Sequence, residues 1–212
     1  MLGDSITDGT RSTPNTNNRW PDHLAKRLLA PTSTFKIGVL NAGIAGNRVL
    51  AESNPPFGVN ALARFDRDVL TQPGVTTVVV MEGINDIGNI GTNRPEAGSD
   101  AAEIIAGYQQ LIARGRTRGL KIYGATLTPF EGAAYFTQVG ETKRQAVNAW
   151  IRTSRAYDAV IDFDLALRDP EHPTKFLPKY DSGDNLHPSD VGYQAMANAV
   201  NLALFKVAPQ PR

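Results

Sequence analysis

The stretch Val75-Thr76-Thr77-Val78-Val79-Val80-Met81 decides the fold class of this chain. Its valines follow one another without alternating polar residues, which is typical of a strand covered on both faces. Further strands are predicted at residues 35–40, 121–126 and 159–163. Helices are predicted at residues 20–29, 100–119, 141–153 and 189–205, where apolar residues recur every three or four positions. Asp100 with Glu103 forms a capping-box pattern at the start of the second helix.

Strands that alternate with helices indicate an α/β fold with a parallel sheet and helices on both of its faces. The chain has 212 residues, of which 41% are hydrophobic. This length can bury one sizeable core, so we expect residues 1–212 to form a single domain. In such sheets, ligands bind beyond the carboxyl ends of the strands. Functional residues are therefore expected at those ends.

The composition excludes several classes of function. A formal net charge of +1, from 22 basic and 21 acidic residues, offers no electrostatic basis for binding nucleic acid or an anionic membrane surface. The absence of cysteine excludes disulfides, thiolate catalysis and cysteine-ligated metal. No apolar run approaches the roughly 18 residues of a membrane span. Nucleotide-binding glycine patterns are absent, as is the Gly-x-Ser-x-Gly sequence of ordinary lipases.

Four short, separated stretches carry chemically useful side chains. They are Gly3-Asp4-Ser5-Ile6, Asn41-Ala42-Gly43-Ile44-Ala45-Gly46-Asn47, Gly83-Ile84-Asn85-Asp86 and Asp184-Asn185-Leu186-His187-Pro188. Ser5 is a candidate nucleophile, although a serine at such a turn also suits a helix N-cap. Gly46 and Asn85 are candidate donors to an oxyanion; the alternatives are a turn glycine and an Asx-turn asparagine.

A serine nucleophile needs a base, and the chain contains only three histidines. His23, in the first predicted helix, and His172, in a loop, are expected at the surface. His187 lies three residues after Asp184, which can hold its Nδ1 proton and leave Nε2 facing the serine. His187 is therefore the candidate base.

Two other carboxylates, Asp181 and Asp190, compete with Asp184 for the orienting role. Together with His187 these three aspartates also form an alternative cluster for a hard or borderline cation. Nothing else in the sequence indicates a metal site.

In this order and composition, the four stretches resemble the SGNH, or GDSL-type, hydrolase family over nearly the whole chain. The resemblance implies a flavodoxin-like three-layer α/β/α fold with five parallel strands, and the hydrolysis of esters or thioesters. It implies Ser5 as nucleophile, with His187 and Asp184 completing a triad. It also implies an oxyanion hole built from the backbone N–H groups of Ser5 and Gly46 and the side-chain N–H of Asn85. No cofactor or metal is expected.

The resulting prediction is a serine esterase that cleaves short-chain acyl esters through an acyl-enzyme. The motif sequences look most like those of bacterial esterases related to carbohydrate acetylesterases, so acetylated sugars are the alternative substrates. A non-catalytic binding module on a degenerate hydrolase scaffold is the alternative from another class. The expected partner is a small-molecule ester, and a homo-oligomer is compatible with the sequence. Loops at residues 12–18, 52–58 and 89–98 are expected to form the walls that set specificity.

One departure from the family concerns the first strand. The family places its serine after a strand of about five or six residues, whereas only Met1 and Leu2 precede Gly3 here. The central strand is therefore expected to be missing or truncated, which would leave neighbouring backbone groups unpaired at roughly 1–3 kcal/mol each. Either the chain begins late, or another segment, such as one from a neighbouring subunit, fills the slot. Localisation stays open: the chain as it stands fits a cytoplasmic protein, and a secreted parent would have lost its leader with the strand.

Overall fold

The computed structural model describes residues 1–52, 57–89 and 97–206. Five parallel strands form one sheet: β1 (Leu2–Gly3), β2 (Ala42–Gly43), β3 (Thr77–Met81), β4 (Lys121–Ala125) and β5 (Ala159–Ile161). The strands lie in the order β2-β1-β3-β4-β5, which is the flavodoxin-like order. The prediction of an α/β fold with a parallel sheet is confirmed.

Helices cover both faces of the sheet. They are α1 (Ser5–Asp8), α2 (Trp20–Leu28), α3 (Ala61–Phe65), α4 (Ile84–Ile87), α5 (Ala101–Thr117), α6 (Gln138–Thr153), α7 (Phe163–Leu167) and α8 (Asp190–Ala199), with a π-helical turn at Asp66–Leu70 and 3-10 helices at Pro178–Tyr180 and Leu202–Phe205. One apolar core lies between the sheet and α3, α5 and α6, and a second lies between the sheet and α2, α7 and α8. In the part of the chain that the structure describes, no helix combines the length and apolar character needed to cross a bilayer.

The apolar strand β3 is buried on both faces, because its side chains alternate between the two cores. Val78 and Val80 belong to the core that contains α5 and α6, whereas Val79 and Met81 belong to the core that contains α2 and α8. Alternate side chains of a strand point to opposite faces of the sheet. A strand covered on both sides has no solvent face, and this is why the run contains no polar alternation.

The central strand is present but only two residues long, so the expectation of a missing strand is wrong and that of a shortened strand is confirmed. Leu2 and Gly3 pair with β2 on one side and with β3 on the other. Leu2 is fully buried, and a Cβ at Gly3 would collide with the side chain of Thr7 and the carbonyl of Met81. The strand is short, but two residues are enough to bring Ser5 to the carboxyl edge of the sheet.

The strand predicted at residues 35–40 is not formed, and only Ala42–Gly43 pair as β2. The reason is the length of β1, which offers strand partners only beside those two residues. Just before β1, the Met1 amino group donates to the Leu40 carbonyl at 2.6 Å, and the Met1 carbonyl accepts the Ala42 N–H at 2.8 Å. Beyond Met1, residues 36–40 and the start of β3 line a groove of about 770 Å³.

The sequence predicted the residues that cap the helices more accurately than it predicted the lengths of the helices. The Asp100 N–H donates to the Glu103 carboxylate at 2.8 Å, which confirms the capping box of α5. Ser189 caps α8 as predicted, since its Oγ accepts the Gly192 N–H at 3.2 Å. However, α8 ends at Ala199 because the next residue is extended, and a separate 3-10 helix follows.

Candidate active site

Ser5 lies at the carboxyl edge of the sheet, at the first position of α1. β1 ends at Gly3, and Asp4 caps the helix with its Oδ1, which accepts the Ile6 N–H at 3.0 Å. Because Asp4 is the cap, the alternative interpretation of Ser5 as an N-cap is wrong. The Ser5 hydroxyl is therefore available for other contacts, and its backbone N–H is among the first N–H groups of a helix, which have no intrahelical partner.

The Ser5 hydroxyl meets the imidazole of His187 from the far end of the chain. Ser5 Oγ lies 2.9 Å from His187 Nε2, and Asp184 Oδ2 lies 2.8 Å from His187 Nδ1. Asp184 Oδ1 accepts the backbone N–H groups of Leu186 at 3.0 Å and His187 at 2.8 Å. One carboxylate thus fixes both the turn that carries the imidazole and the imidazole itself.

The surroundings of Asp184 favour its ionised form. Partial burial alone would raise its pKa, but hydrogen bonds from the His187 backbone N–H, the His187 imidazole and the Leu186 N–H hold this pKa well below the usual range of a carboxyl. The exposed Arg11 also donates from Nε to Asp184 Oδ2 at 3.0 Å. At neutral pH the carboxylate can therefore accept the Nδ1 proton, and Nε2 is left to accept the proton of Ser5.

The competing carboxylates have partners of their own. Asp181 accepts two backbone N–H groups of its own turn at 3.0 Å. Asp190 accepts the backbone N–H and hydroxyl of Thr13 and the side-chain amide of Asn18. Neither orients His187, and no group of three or more His, Asp or Glu side chains among the described residues is placed to hold a metal ion.

The other two histidines are not part of this arrangement. His172 is exposed, as predicted, and lies 3.5 Å from Asp169. His23 is only 7% exposed, so the expectation that it faces solvent is wrong. It belongs to the face of α2 that also buries Trp20 and Leu24. Burial lowers the pKa of the His23 imidazole.

Of the two further candidate donors, Gly46 lies on a turn beyond β2, and Asn85 lies in the short helix α4 beyond β3. Gly46 has a φ of 75°, and the ring of Phe57 covers it so closely that a Cβ has no room. Asn85 is 1% exposed, and its Nδ2 donates to the backbone carbonyl of Asn47 at 2.9 Å. Its Oδ1 accepts the hydroxyl of Tyr135 at 3.1 Å. The bond from Asn85 to Asn47 connects α4 to the turn that contains Gly46.

Residues 1–195 match the family model of the GDSL-like lipase/acylhydrolase family. The chain belongs to this family. The resemblance inferred from the four motifs is confirmed, and membership supports a hydrolase that acts on esters. No curated protein matches the chain.

Solved structures similar to this GDSL-like hydrolase include esterases and acetylesterases. An aryl esterase from M. smegmatis has a TM-score of 0.70 at 16% identity, and a carbohydrate acetylesterase from Sinorhizobium meliloti has a TM-score of 0.70 at 14% identity; each match covers 93% of both chains. The acetyl xylan esterase AlAXEase has a TM-score of 0.67 at 20% identity, over 93% of this chain and 94% of that one. At these identities the likeness shows a shared fold.

A buried arginine, Arg64, joins the loops of the GDSL-like site. Its Nη2 donates to the Gly3 carbonyl at 3.0 Å, and its Nη1 donates to the Ala42 carbonyl at 2.7 Å. Its Nε donates to Asn47 Oδ1 at 2.9 Å. One guanidinium therefore bonds to the ends of β1 and β2 and to the turn that contains Gly46.

Three buried carboxyls, those of Asp4, Glu82 and Asp86, lie close enough to influence one another, and the first two also interact with the charge of Arg64. Burial raises the pKa of Asp4 to about 7 against the opposing hydrogen bond from the Ile6 N–H, and it raises the pKa of Glu82 well above its ordinary value. Burial also raises the pKa of Asp86 to about 6, although the Val49 and Leu50 N–H groups donate to this carboxyl at 2.8 and 3.0 Å. The floor of the site thus carries several groups that titrate above the normal range of carboxyls.

We predict that Asp4→Asn makes stability less dependent on pH. In the unfolded chain Asp4 titrates near its ordinary pKa of 3.8, whereas in the folded protein it titrates near 7. The stabilising contribution of a raised pKa is complete below the unfolded value and is lost as the pH rises through the folded value. Between pH 5 and pH 8 the free energy of unfolding should fall by about 2 kcal/mol more in the wild type than in Asp4→Asn. Urea unfolding at both pH values measures this.

The matched control for this prediction is Asp66→Asn, which changes an exposed carboxylate. The comparison of variants removes the contributions of Glu82 and Asp86, which all three proteins share. If the wild type and Asp4→Asn lose the same stability between pH 5 and pH 8, Asp4 does not have the raised pKa.

Sequence reasoning missed Arg11, Arg64, Asp86 and Tyr135. Asp86 could have been recognised, since it is the last residue of the third motif. The other three lie in stretches without a recognisable pattern. Of the loops predicted to set specificity, the one at residues 12–18 is attached to the start of α8, where Thr13 bonds to Asp190. Residues 53–56 and 90–96 of the other two loops lie outside the described residues.

Proposed function

We propose that this chain is a serine esterase that hydrolyses short-chain acyl esters with Ser5 as nucleophile, His187 as general base and Asp184 as its orienting carboxylate. The observation that carries the proposal is the continuous line of hydrogen bonds from Ser5 Oγ through both nitrogens of His187 to Asp184, with 2.9 and 2.8 Å between the heavy atoms. Membership of the GDSL-like lipase/acylhydrolase family supports the same conclusion.

In the first step, Ser5 Oγ attacks the acyl carbon while His187 Nε2 takes the hydroxyl proton. The imidazolium then gives this proton to the leaving alcohol as the ester C–O bond breaks, and an acyl-serine remains. A water molecule loses a proton to Nε2 and attacks the acyl carbon of the acyl-serine. The imidazolium returns this proton to Ser5 Oγ as the acyl C–O bond breaks, which releases the carboxylic acid and restores both Ser5 and His187. The ionised Asp184 stabilises the imidazolium in both steps.

The negative charge on the carbonyl oxygen needs neutral donors placed in advance. We assign this role to the backbone N–H groups of Ser5 and Gly46 and to the side-chain N–H of Asn85 that is not bonded to Asn47. Each such donor typically contributes about 3 kcal/mol to stabilising the transition state. The burial of Asn85 supports the assignment, because a donor shielded from water interacts more strongly with a developing charge.

The test is labelling with a serine-reactive fluorophosphonate. Trypsin cleaves after Arg11, so residues 1–11 form a peptide whose one serine is Ser5. We expect the native protein to carry the phosphonyl group on this peptide, and the urea-denatured control to remain unlabelled. A folded protein that is never labelled at Ser5 would refute the esterase proposal and favour the alternative of a non-catalytic binding module.

Acetylated carbohydrates are the second candidate substrates. The similar structures include proteins described as a carbohydrate acetylesterase and an acetyl xylan esterase, and the sequences at residues 3–9 and 41–47 of this chain resemble those of that group. Rates should be compared for acetyl, butyryl and octanoyl p-nitrophenyl esters and for peracetylated xylose. Release of acetate from the sugar at a higher kcat/KM than from the aryl acetate would favour the carbohydrate substrate, and the reverse order would favour simple esters.

A further inference from the structure

Tyr135 lies in the segment between β4 and α6, away from the four motifs in sequence. Its hydroxyl donates to Asn85 Oδ1 at 3.1 Å. Gly88, one turn after Asn85, makes room for the ring, because any Cβ at that position would overlap it. The ring of Phe130 packs against Tyr135 from the other direction, with 6.2 Å between centroids. The phenol is therefore held in place on the oxygen side of the Asn85 amide.

The Asn85 side chain has a defined set of partners. A primary amide has two N–H donors and one carbonyl acceptor. The Tyr135 hydroxyl donates to the amide carbonyl of Asn85, and the Asn47 backbone carbonyl accepts one of its N–H groups at 2.9 Å. With both of these partners in place the amide cannot flip, since a flip would set its oxygen against the Asn47 carbonyl and its nitrogen against the Tyr135 hydroxyl. The orientation of the second N–H follows from the two bonds together.

We propose that Tyr135 is a positioning residue for the Asn85 oxyanion donor, acting through the amide carbonyl to orient the remaining N–H and to strengthen it. The inference rests on the proposed esterase function. A hydrogen bond to the carbonyl of an amide polarises the whole group, so its N–H groups become better donors. Burial raises the pKa of the Tyr135 phenol well above its ordinary value, so the hydroxyl remains protonated and continues to donate at alkaline pH.

The first experiment compares Tyr135→Phe with the wild type on p-nitrophenyl acetate. The variant keeps the ring and loses only the hydroxyl, so we expect kcat to fall by about 10-fold while KM changes less than about 2-fold, because the donor acts mainly in the transition state. Tyr123→Phe is the matched control, since the Tyr123 hydroxyl donates to the Leu204 carbonyl on another part of the fold. It should leave kcat unchanged. An unchanged kcat in Tyr135→Phe would overturn the proposal.

A double-mutant cycle separates positioning from a general structural role. We expect Asn85→Ala to lower kcat by about 10²-fold or more. In that background Tyr135→Phe should cost less than about 2-fold, because no amide is left to position. A full 10-fold loss in the Asn85→Ala background would mean that Tyr135 acts independently of Asn85 and would overturn the proposal. A wild type that hydrolyses no ester would instead refute the proposed esterase function. That failure is distinguishable from a failure of the Tyr135 proposal, which requires an active wild type with an unaffected Tyr135→Phe variant.

Discussion

Replacing Ser5 by alanine is expected to lower kcat for p-nitrophenyl acetate by at least about 10⁴-fold. The reason is that the hydroxyl oxygen 2.9 Å from His187 Nε2 is the atom that forms the acyl-enzyme in the proposed mechanism. The same change should alter the free energy of unfolding by less than about 1 kcal/mol, because Asp4 rather than Ser5 caps α1. Initial rates and urea unfolding of the two proteins give both values.

Ser12→Ala is the matched control for this prediction. Ser12 lies seven residues further along the chain, just after α1, and its hydroxyl donates to the Gly9 carbonyl at 2.6 Å rather than to the imidazole. Its loss should leave kcat within about 3-fold of the wild type, since it removes one local hydrogen bond. Activity retained by a folded Ser5→Ala would mean that another group attacks the ester, and the mechanism would have to be abandoned.

Arg64→Met is expected to destabilise the protein by about 3–5 kcal/mol. Arg64 is 1% exposed, and besides its three bonds to the site loops it pairs with Asp68 at 3.1 Å and with the buried Glu82 at 3.4 Å. Removal of the guanidinium leaves the Glu82 carboxyl and the carbonyls of Gly3 and Ala42 without this donor. The loops that carry Ser5 and Gly46 should loosen, so kcat/KM should fall by about 10-fold or more even where the variant is fully folded.

Arg144→Met separates the loss of stability from the loss of the site. Arg144 is likewise fully buried, and it bonds to the carboxylates of Glu141 at 2.8 Å and Asp164 at 2.6 Å and to the Leu127 carbonyl at 2.9 Å. A similar destabilisation is expected from it, but kcat/KM at 15 °C should stay within about 3-fold of the wild type. Equal losses of kcat/KM in the two variants would contradict the role of Arg64 in holding the site loops.

The sequence predicted the fold class well because the relevant signals are local. The valine run of β3, the apolar stripes of α5 and α6, and the capping residues Asp100 and Ser189 depend only on near neighbours along the chain. A strand, unlike a helix, forms only where a second segment of the chain is available for pairing. Residues 35–40 have the composition of a strand, but β1 is too short to pair with them, so the local signal was misleading.

The candidate site was predicted in part for the same reason. Ser5, Asp184 and His187 belong to short motifs, and the structure brings their side chains within hydrogen-bonding distance of one another. The supporting residues Arg64 and Tyr135 belong to no motif. Their importance comes from where the fold places one guanidinium and one hydroxyl, and neither the spacing nor the type of these residues indicates it.

The sequence by itself determined the parallel α/β sheet, the position of the candidate nucleophile at a strand end, and the two histidines that lie outside the site. The tertiary structure alone decided which of three aspartates contacts His187, that His23 is buried, and that Leu2 and Gly3 pair as the central strand. The physical reason is that each of these outcomes depends on contacts between distant segments, such as the 182 residues that separate Ser5 from His187. Periodicity and capping act over a few residues, whereas hydrogen-bond geometry and burial are properties of the packed chain.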